Sequence, residues 1–214
     1  ERRPIGRPAR VAPPNGVQGG RDRARDALKK ALITGGAGFI GYHLASYLIA
    51  SGWRVDLVDS FARGASDRAL AGLQASDRVR LLERDLRASG ALADGDDDYT
   101  HVFHLAAIVG VSHVLERPYE VLRDNVAMLT HALDFARAQS RLERFVFAST
   151  SEVYAGTFRH LSAPIPTPED VPLALPDLAH RRTCYLLSKI YGEAICHNAG
   201  LPFTIVRPHN LYGP

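Results

Sequence analysis

Tyr185 and Lys189 stand four residues apart in a stretch whose apolar spacing predicts a helix from Thr183 to Asn198. Their side chains then project from one helical face. That pairing suits proton chemistry at a hydroxyl. A free phenol titrates near ~10, and a neighbouring ammonium, with a cationic cofactor ring, stabilises its phenolate. Such a phenolate can take the proton of a substrate hydroxyl while a hydride leaves the same carbon. The spacing alone is common on surface helices, so its company matters. Upstream, the β-branched run Arg144–Ala148 ends in Thr150, Ser151 and Glu152. In an open α/β sheet these three fall at the carboxyl edge, where ligands bind. The two hydroxyls there can share the reacting hydroxyl with Tyr185, and Glu152 can act as a second base.

A phosphate-binding loop is legible in TGGAGFIG, Thr34 to Gly41. Gly35 permits a tight strand-to-helix turn, Gly38 lets backbone approach a pyrophosphate, and Gly41 lets the helix pack close. Phe39 and Ile40 begin the helix, whose free N–H groups face the phosphates. Asp59 lies 24 residues after Gly35, at the end of the second apolar run. A carboxylate there accepts the adenosine ribose hydroxyls and repels a 2′-phosphate, which favours NAD over NADP. Arg63 nearby softens that preference.

These residues need a scaffold, and the chain alternates short β-branched runs with helical patterns from Lys30 onward. Strands are predicted at Ala31–Thr34, Arg54–Val58, Val79–Leu82, Thr100–His104, Arg144–Ala148 and Phe203–Val206. Helices are predicted at Phe39–Ser51, Ser66–Ala75, Pro118–Gln139 and Thr183–Asn198. The expected architecture is α/β, a doubly wound parallel sheet with one dinucleotide-binding domain over residues 30–214. Residues 154–182 read as a long structureless loop, with Pro164, Pro166, Pro168, Pro172 and Pro176, of the kind that usually carries function. The chain stops in RPHNLYGP, just past the sixth strand, so a C-terminal substrate-binding portion is expected to be missing.

Charge is unevenly spread. Residues 1–30 carry a net charge of +6, which leaves the other 184 residues at −3 although the whole is +3. The basic segment 1–29 is rich in Arg, Pro and Gly without apolar periodicity, and reads as a disordered, solvated tail. Nucleic acid is therefore not an expected partner of the folded body. No apolar run approaches the roughly 20 residues of a membrane span. Cys184 and Cys196 share one predicted helix about 18 Å apart, too far to pair. A reduced, cytoplasmic setting fits. His101, His104, His113 and His131 lack metal-ligand spacing, and no metal is expected.

The motifs TGGAGFIG, the acid of VDS, RDLR (Arg84–Arg87), HLAA (His104–Ala107), STSEVYA, the Tyr–Lys pair and RPHNLYGP share an order. That order resembles the NAD-dependent epimerase/dehydratase branch of the extended short-chain dehydrogenases/reductases, over about residues 30–214. The resemblance implies a Rossmann-like domain that keeps NAD bound and transiently oxidises C4 of a nucleotide-activated sugar. It implies that Asp85 and Leu86 lie against the adenine, and that Leu105, Ala106 and Ala107 line the cofactor cleft. Thr150, Tyr185 and Lys189 would form the redox triad, and Asn210 would contact the substrate's diphosphate region. A homodimer is implied through the helices after the fourth and fifth strands, with Leu129 and Leu133 among the contacts. The Thr-Ser-Glu run resembles 4,6-dehydratases and sugar-acid decarboxylases more than simple 4-epimerases. Enzymes acting on dTDP-glucose usually carry Asp where Ser151 stands. Reduction of a non-sugar carbonyl, or a non-catalytic cofactor-binding regulator, remain the alternative readings.

Overall fold

Parallel strands buried on both faces read as nearly continuous apolar runs, and Ala31–Ile33 and Val55–Val58 are such runs. A computed structural model describes residues 28–63 and 68–213. In it β1 (Lys30–Thr34), β2 (Arg54–Asp59), β3 (Val79–Glu83), β4 (His101–His104), β5 (Arg144–Ala148) and β6 (Phe203–Val206) form one sheet. The order is β3-β2-β1-β4-β5-β6 and every pairing is parallel, with Ala31 opposite both Val55 and His101. The order reverses between β1 and β4, which opens a crevice at their carboxyl ends.

Side chains alternate across the sheet with period two, and this divides the core. Ala31, Ile33, Val55 and Leu57 pack with Ala45 and Leu48 of α1 (Phe39–Ala50) and Leu70 of α2 (Arg68–Gln74). Leu32, Val58, Val102, Phe145 and Phe147 pack on the other face. There they meet α4 (Pro118–Arg137) and α6 (Thr183–Asn198). The expected doubly wound sheet is present.

Several expectations need correction. Leu129 and Leu133, expected as dimer contacts, are 1% and 3% exposed and sit in this core. Both face the sheet, because α4 packs over β4 and turns its strongest apolar stripe inward; Leu122 and Val126 lie half-buried on the same helix. The stretch after β5 is not structureless: a 3-10 turn spans Ser151–Tyr154, and α5 spans Ala155–His160. Thr157 pins the following loop, donating to the Pro172 carbonyl at 2.8 Å and accepting from the Ala174 N–H at 3.2 Å. A short helix, α3 (Val111–Glu116), was not expected at all. Helix α4 stops before Gln139 because that side chain caps it, donating to the Phe135 carbonyl and accepting from the Tyr99 N–H. Of the basic tail, residues 1–27 lie outside the described residues, as do residues 64–67 before α2. Lys29 already joins the ladder, its carbonyl accepting from the Arg54 N–H at 3.0 Å. No helix among the described residues is long and apolar enough to cross a membrane.

Candidate active site

The loop between β1 and α1 turns on Gly35, whose φ of 70° suits glycine and whose N–H donates to the Val58 carbonyl at 2.8 Å. A Cβ there would lie 2.9 Å from the Ala106 nitrogen. At Gly41 a Cβ would come within 2.4 Å of the Gly35 carbonyl oxygen, so α1 can start this close only with glycine. Gly38 caps α1 without a side-chain hydrogen bond, and the first turn carries no acidic residue. That leaves the helix end suited to an anion. Asp59 is held across this loop, accepting from the Ala37 N–H at 3.1 Å and the Phe61 N–H at 2.9 Å.

These residues wall one cleft of about 800 Å³. Gly35, Gly38, Phe39, Ile40, Gly41 and Asp59 form one side, Asp85 and Leu86 the end, and Leu105, Ala106 and Ala107 the other side. The predicted cofactor residues at the ends of β1, β2, β3 and β4 are therefore brought together. Arg63 joins them and donates to the Val109 carbonyl at 3.0 Å. The Asp85 carboxylate is engaged by the Arg87 guanidinium, which holds it below the usual carboxylate range.

Thr150, Tyr185 and Lys189 are not in that wall but meet beyond it, at the carboxyl end of β5. Thr150 caps the 3-10 turn, accepting from the Glu152 N–H at 3.2 Å, and its hydroxyl stands near the Tyr185 phenol. Burial and the neighbouring Glu152 carboxylate push the phenol above its ordinary value, against a smaller downward pull from the Thr150 hydroxyl. Lys189 is buried and donates to the Ala148 carbonyl at 2.8 Å, with its nitrogen 5.8 Å from the centre of the Tyr185 ring. Burial pushes its pKa down to about 8. Glu152 is exposed on its turn, Ser151 half-buried, and Asn210 exposed with Leu211 reaching the cleft wall.

The sequence profile of the NAD dependent epimerase/dehydratase family matches residues 31–214. The chain belongs to that family. A UDP-N-acetyl-alpha-D-glucosaminuronate decarboxylase of Bacillus cytotoxicus is 35% identical over 192 residues, 87% of this chain and 56% of the relative. UDP-glucuronate 4-epimerase 1 of Arabidopsis thaliana is 33% identical over 193 residues, 86% of this chain and 42% of the relative. The chain thus spans about half the length of these curated relatives. The crystal structure of the Bordetella bronchiseptica enzyme WbmG in complex with NAD and UDP superposes with a TM-score of 0.72. It is 27% identical, and the match covers 89% of this chain and 56% of that one.

As a member of this family the chain must offer a dinucleotide a cradle, and the glycine contacts above provide one that side chains would fill. Asp59 stands where it can take ribose hydroxyls. Asp59→Ala should therefore narrow the preference for NAD over NADP, checked by titrating both cofactors. Losing a charge-assisted hydrogen bond costs about 1.5–3 kcal/mol, so NAD affinity should fall roughly tenfold or more while NADP gains. Tighter binding of NADP by the unaltered protein would sink this reading of Asp59.

Three further residues escaped the sequence reading. Asn125 of α4 is buried, accepting from the Ile108 N–H at 2.7 Å and donating to its carbonyl at 3.2 Å and to the Ser188 hydroxyl at 3.4 Å. It ties the cofactor cleft to the helix of Tyr185 and Lys189. The other two, Glu193 and Arg207, form a largely buried pair beside the Ser151–Tyr154 turn. Their only sequence signal was a second charge one turn after Lys189 on the inward helical face and another directly after a strand. His104 is fully buried between Thr34 and the rings of Phe145 and Phe147, and burial pushes its pKa down to about 3, so it serves as a neutral core group. Among the described residues, no three His, Cys, Asp or Glu side chains gather into a group that could hold a metal ion.

Proposed function

We propose that the full-length protein transiently oxidises C4 of a UDP-linked hexuronic acid and then releases the sugar carboxyl group as CO₂. The observation that carries this is the joint placement of Thr150, Tyr185, Lys189 and Glu152 at one strand end, beside the cleft walled by Gly38 and Asp59. Bound NAD would supply the acceptor for the C4 hydride, its later return, and a positive ring beside the phenol. Tyr185 takes the C4 hydroxyl proton, with Thr150 orienting the oxygen and Lys189 supplying positive charge from behind. The C4 ketone then stands β to the carboxylate carbon. The bond from C5 to that carbon breaks, its electron pair moves onto the C4 oxygen, and Tyr185 and Thr150 donate hydrogen bonds to the resulting enolate. Glu152, exposed on the neighbouring turn, takes a proton from solvent and delivers it to C5, which restores the C4 ketone.

Both curated relatives named above act, by their names, on UDP-linked uronic acids, which supports this substrate class over neutral sugars. The second of them is a 4-epimerase, so C4 inversion without carbon loss is the rival outcome. Incubation with UDP-glucuronate, UDP-N-acetylglucosaminuronate and UDP-glucose, followed by CO₂ capture and mass spectrometry, separates the readings. Loss of CO₂ from a uronate is expected. An isomer of unchanged mass would establish the epimerase, and loss of water a dehydratase.

The working unit we propose is a homodimer in a reducing cytoplasmic setting. Its interface uses the outer faces of α4 and α6, where Leu122, Val126, Leu187 and Tyr191 remain wholly or partly accessible. Cys184 and Cys196 are both free thiols. Sedimentation of the full-length protein should show one dimeric species across a wide concentration range, and a strict monomer would overturn the interface.

A further inference from the structure

The turn that carries Glu152 is braced from β6 by an ion pair between a half-buried arginine and a buried glutamate. Arg207, directly after β6, donates from Nε to Glu193 Oε1 at 2.9 Å and from Nη2 to Oε2 at 2.6 Å. Glu193 lies on α6 four residues after Lys189 and is buried, and its Oε1 also accepts the Ser149 hydroxyl at 2.5 Å. The remaining guanidinium nitrogen of Arg207 donates to the Tyr154 phenol oxygen at 2.5 Å and to the Glu169 carbonyl at 2.9 Å. The guanidinium carbon also stands 5.0 Å over the centre of the Tyr154 ring. Backbone bonds run in parallel, from the Ser149 N–H to the Val206 carbonyl at 2.8 Å and from the Ser151 N–H to the Pro208 carbonyl at 3.0 Å.

Arg207 therefore joins β6, the helix of Tyr185 and Lys189, the turn of Glu152 and the following loop. A planar fork with five donors can serve four such acceptors at fixed angles, and a lysine ammonium cannot. A buried ion pair need not raise stability, because desolvation offsets much of its attraction. What it does fix is geometry. We propose that Arg207, held by Glu193, is a positioning residue that sets the Ser151–Tyr154 turn, and with it Glu152, against Thr150 and Tyr185. The inference rests on the proposed function for its catalytic meaning, but the brace itself can be read without turnover.

The test compares Arg207→Met, Arg207→Lys and Tyr154→Phe in the full-length protein. Hydrogen exchange over residues 151–160 should become roughly tenfold faster in Arg207→Met, while residues 31–50 keep their protection and NAD affinity stays within about twofold. With a UDP-uronate, the C4 oxidation step and KM should stay within about twofold, and the later proton transfer at C5 should slow about tenfold. Arg207→Lys should fail to restore that later step. Tyr154→Phe, which keeps the ion pair and removes one acceptor, should show the same split in smaller measure, and it decides the matter if Arg207→Met does not fold. Unchanged exchange over 151–160 would overturn the proposal, as would both steps slowing in proportion to a fall in Tm, or full rescue by lysine. If the unaltered protein oxidises no UDP-uronate, the proposed function fails, and the exchange result still decides the brace.

Discussion

Tyr185→Phe should abolish the first half-reaction, so that no absorbance of reduced nicotinamide appears when substrate is added. The substitution removes one oxygen and keeps the ring, whose contact with the buried Lys189 nitrogen at 5.8 Å from its centre needs no hydroxyl. NAD affinity and Tm should therefore change little. Removing a general base typically costs about 10²–10⁴ in rate, or about 3–5 kcal/mol of barrier. The pH dependence follows from the two shifts. Burial and Glu152 hold the phenol above its ordinary value, so near neutrality little phenolate exists and each rise in pH increases it. Lys189, pushed down to about 8, loses its proton above that pH and with it the charge that favours phenolate. The rate of C4 oxidation should rise with pH through neutrality and flatten near 8. Any residual rate in Tyr185→Phe should lack the rising limb. Full first-step activity in this variant would remove Tyr185 from the chemistry.

The sheet and the cofactor loops were legible because their signals are local. Apolar runs, a glycine spacing set by backbone approach and an acid at a strand end each read directly from neighbouring residues, and all six strands lie within a residue of their expected bounds. The Tyr–Lys pair was legible for the same reason, as one helical turn. What the sequence hid depends on distant partners. Whether Leu129 faces a dimer or the core is decided by where the sheet lies beneath α4, and periodicity alone marks an apolar stripe without saying what covers it. Helix α5 was masked by the prolines that follow it, which begin at Pro164, after the helix has ended at His160. Arg207 and Glu193 lie 14 residues apart and meet only because β6 pairs with β5 below α6. No spacing rule announces a pair made by tertiary structure.

Glu152→Gln should fail in a different way from Tyr185→Phe. The side chain is exposed on its turn, so an isosteric amide should not disturb the fold, and it leaves Thr150, Tyr185 and Lys189 intact. Its carboxylate also helps hold the Tyr185 phenol above its ordinary value, so removing the charge should ease phenolate formation. Oxidation at C4 should proceed as before or somewhat faster. The later proton transfer at C5 should slow by about 10²–10⁴, the usual effect of losing a positioned acid or base. Reduced nicotinamide should then accumulate on the enzyme, read as a persistent absorbance in stopped flow. With a UDP-uronate the carbon loss itself needs no base, because the C4 ketone takes the electron pair. CO₂ should therefore still be released, up to one equivalent per site, while the enolate waits for its C5 proton. A dehydratase would instead stall with no solvent deuterium at C5. If turnover is nearly unaffected and the product is a plain C4 epimer, Glu152 has no part in the reaction, and the reading of the Thr-Ser-Glu run as dehydratase- or decarboxylase-like is wrong.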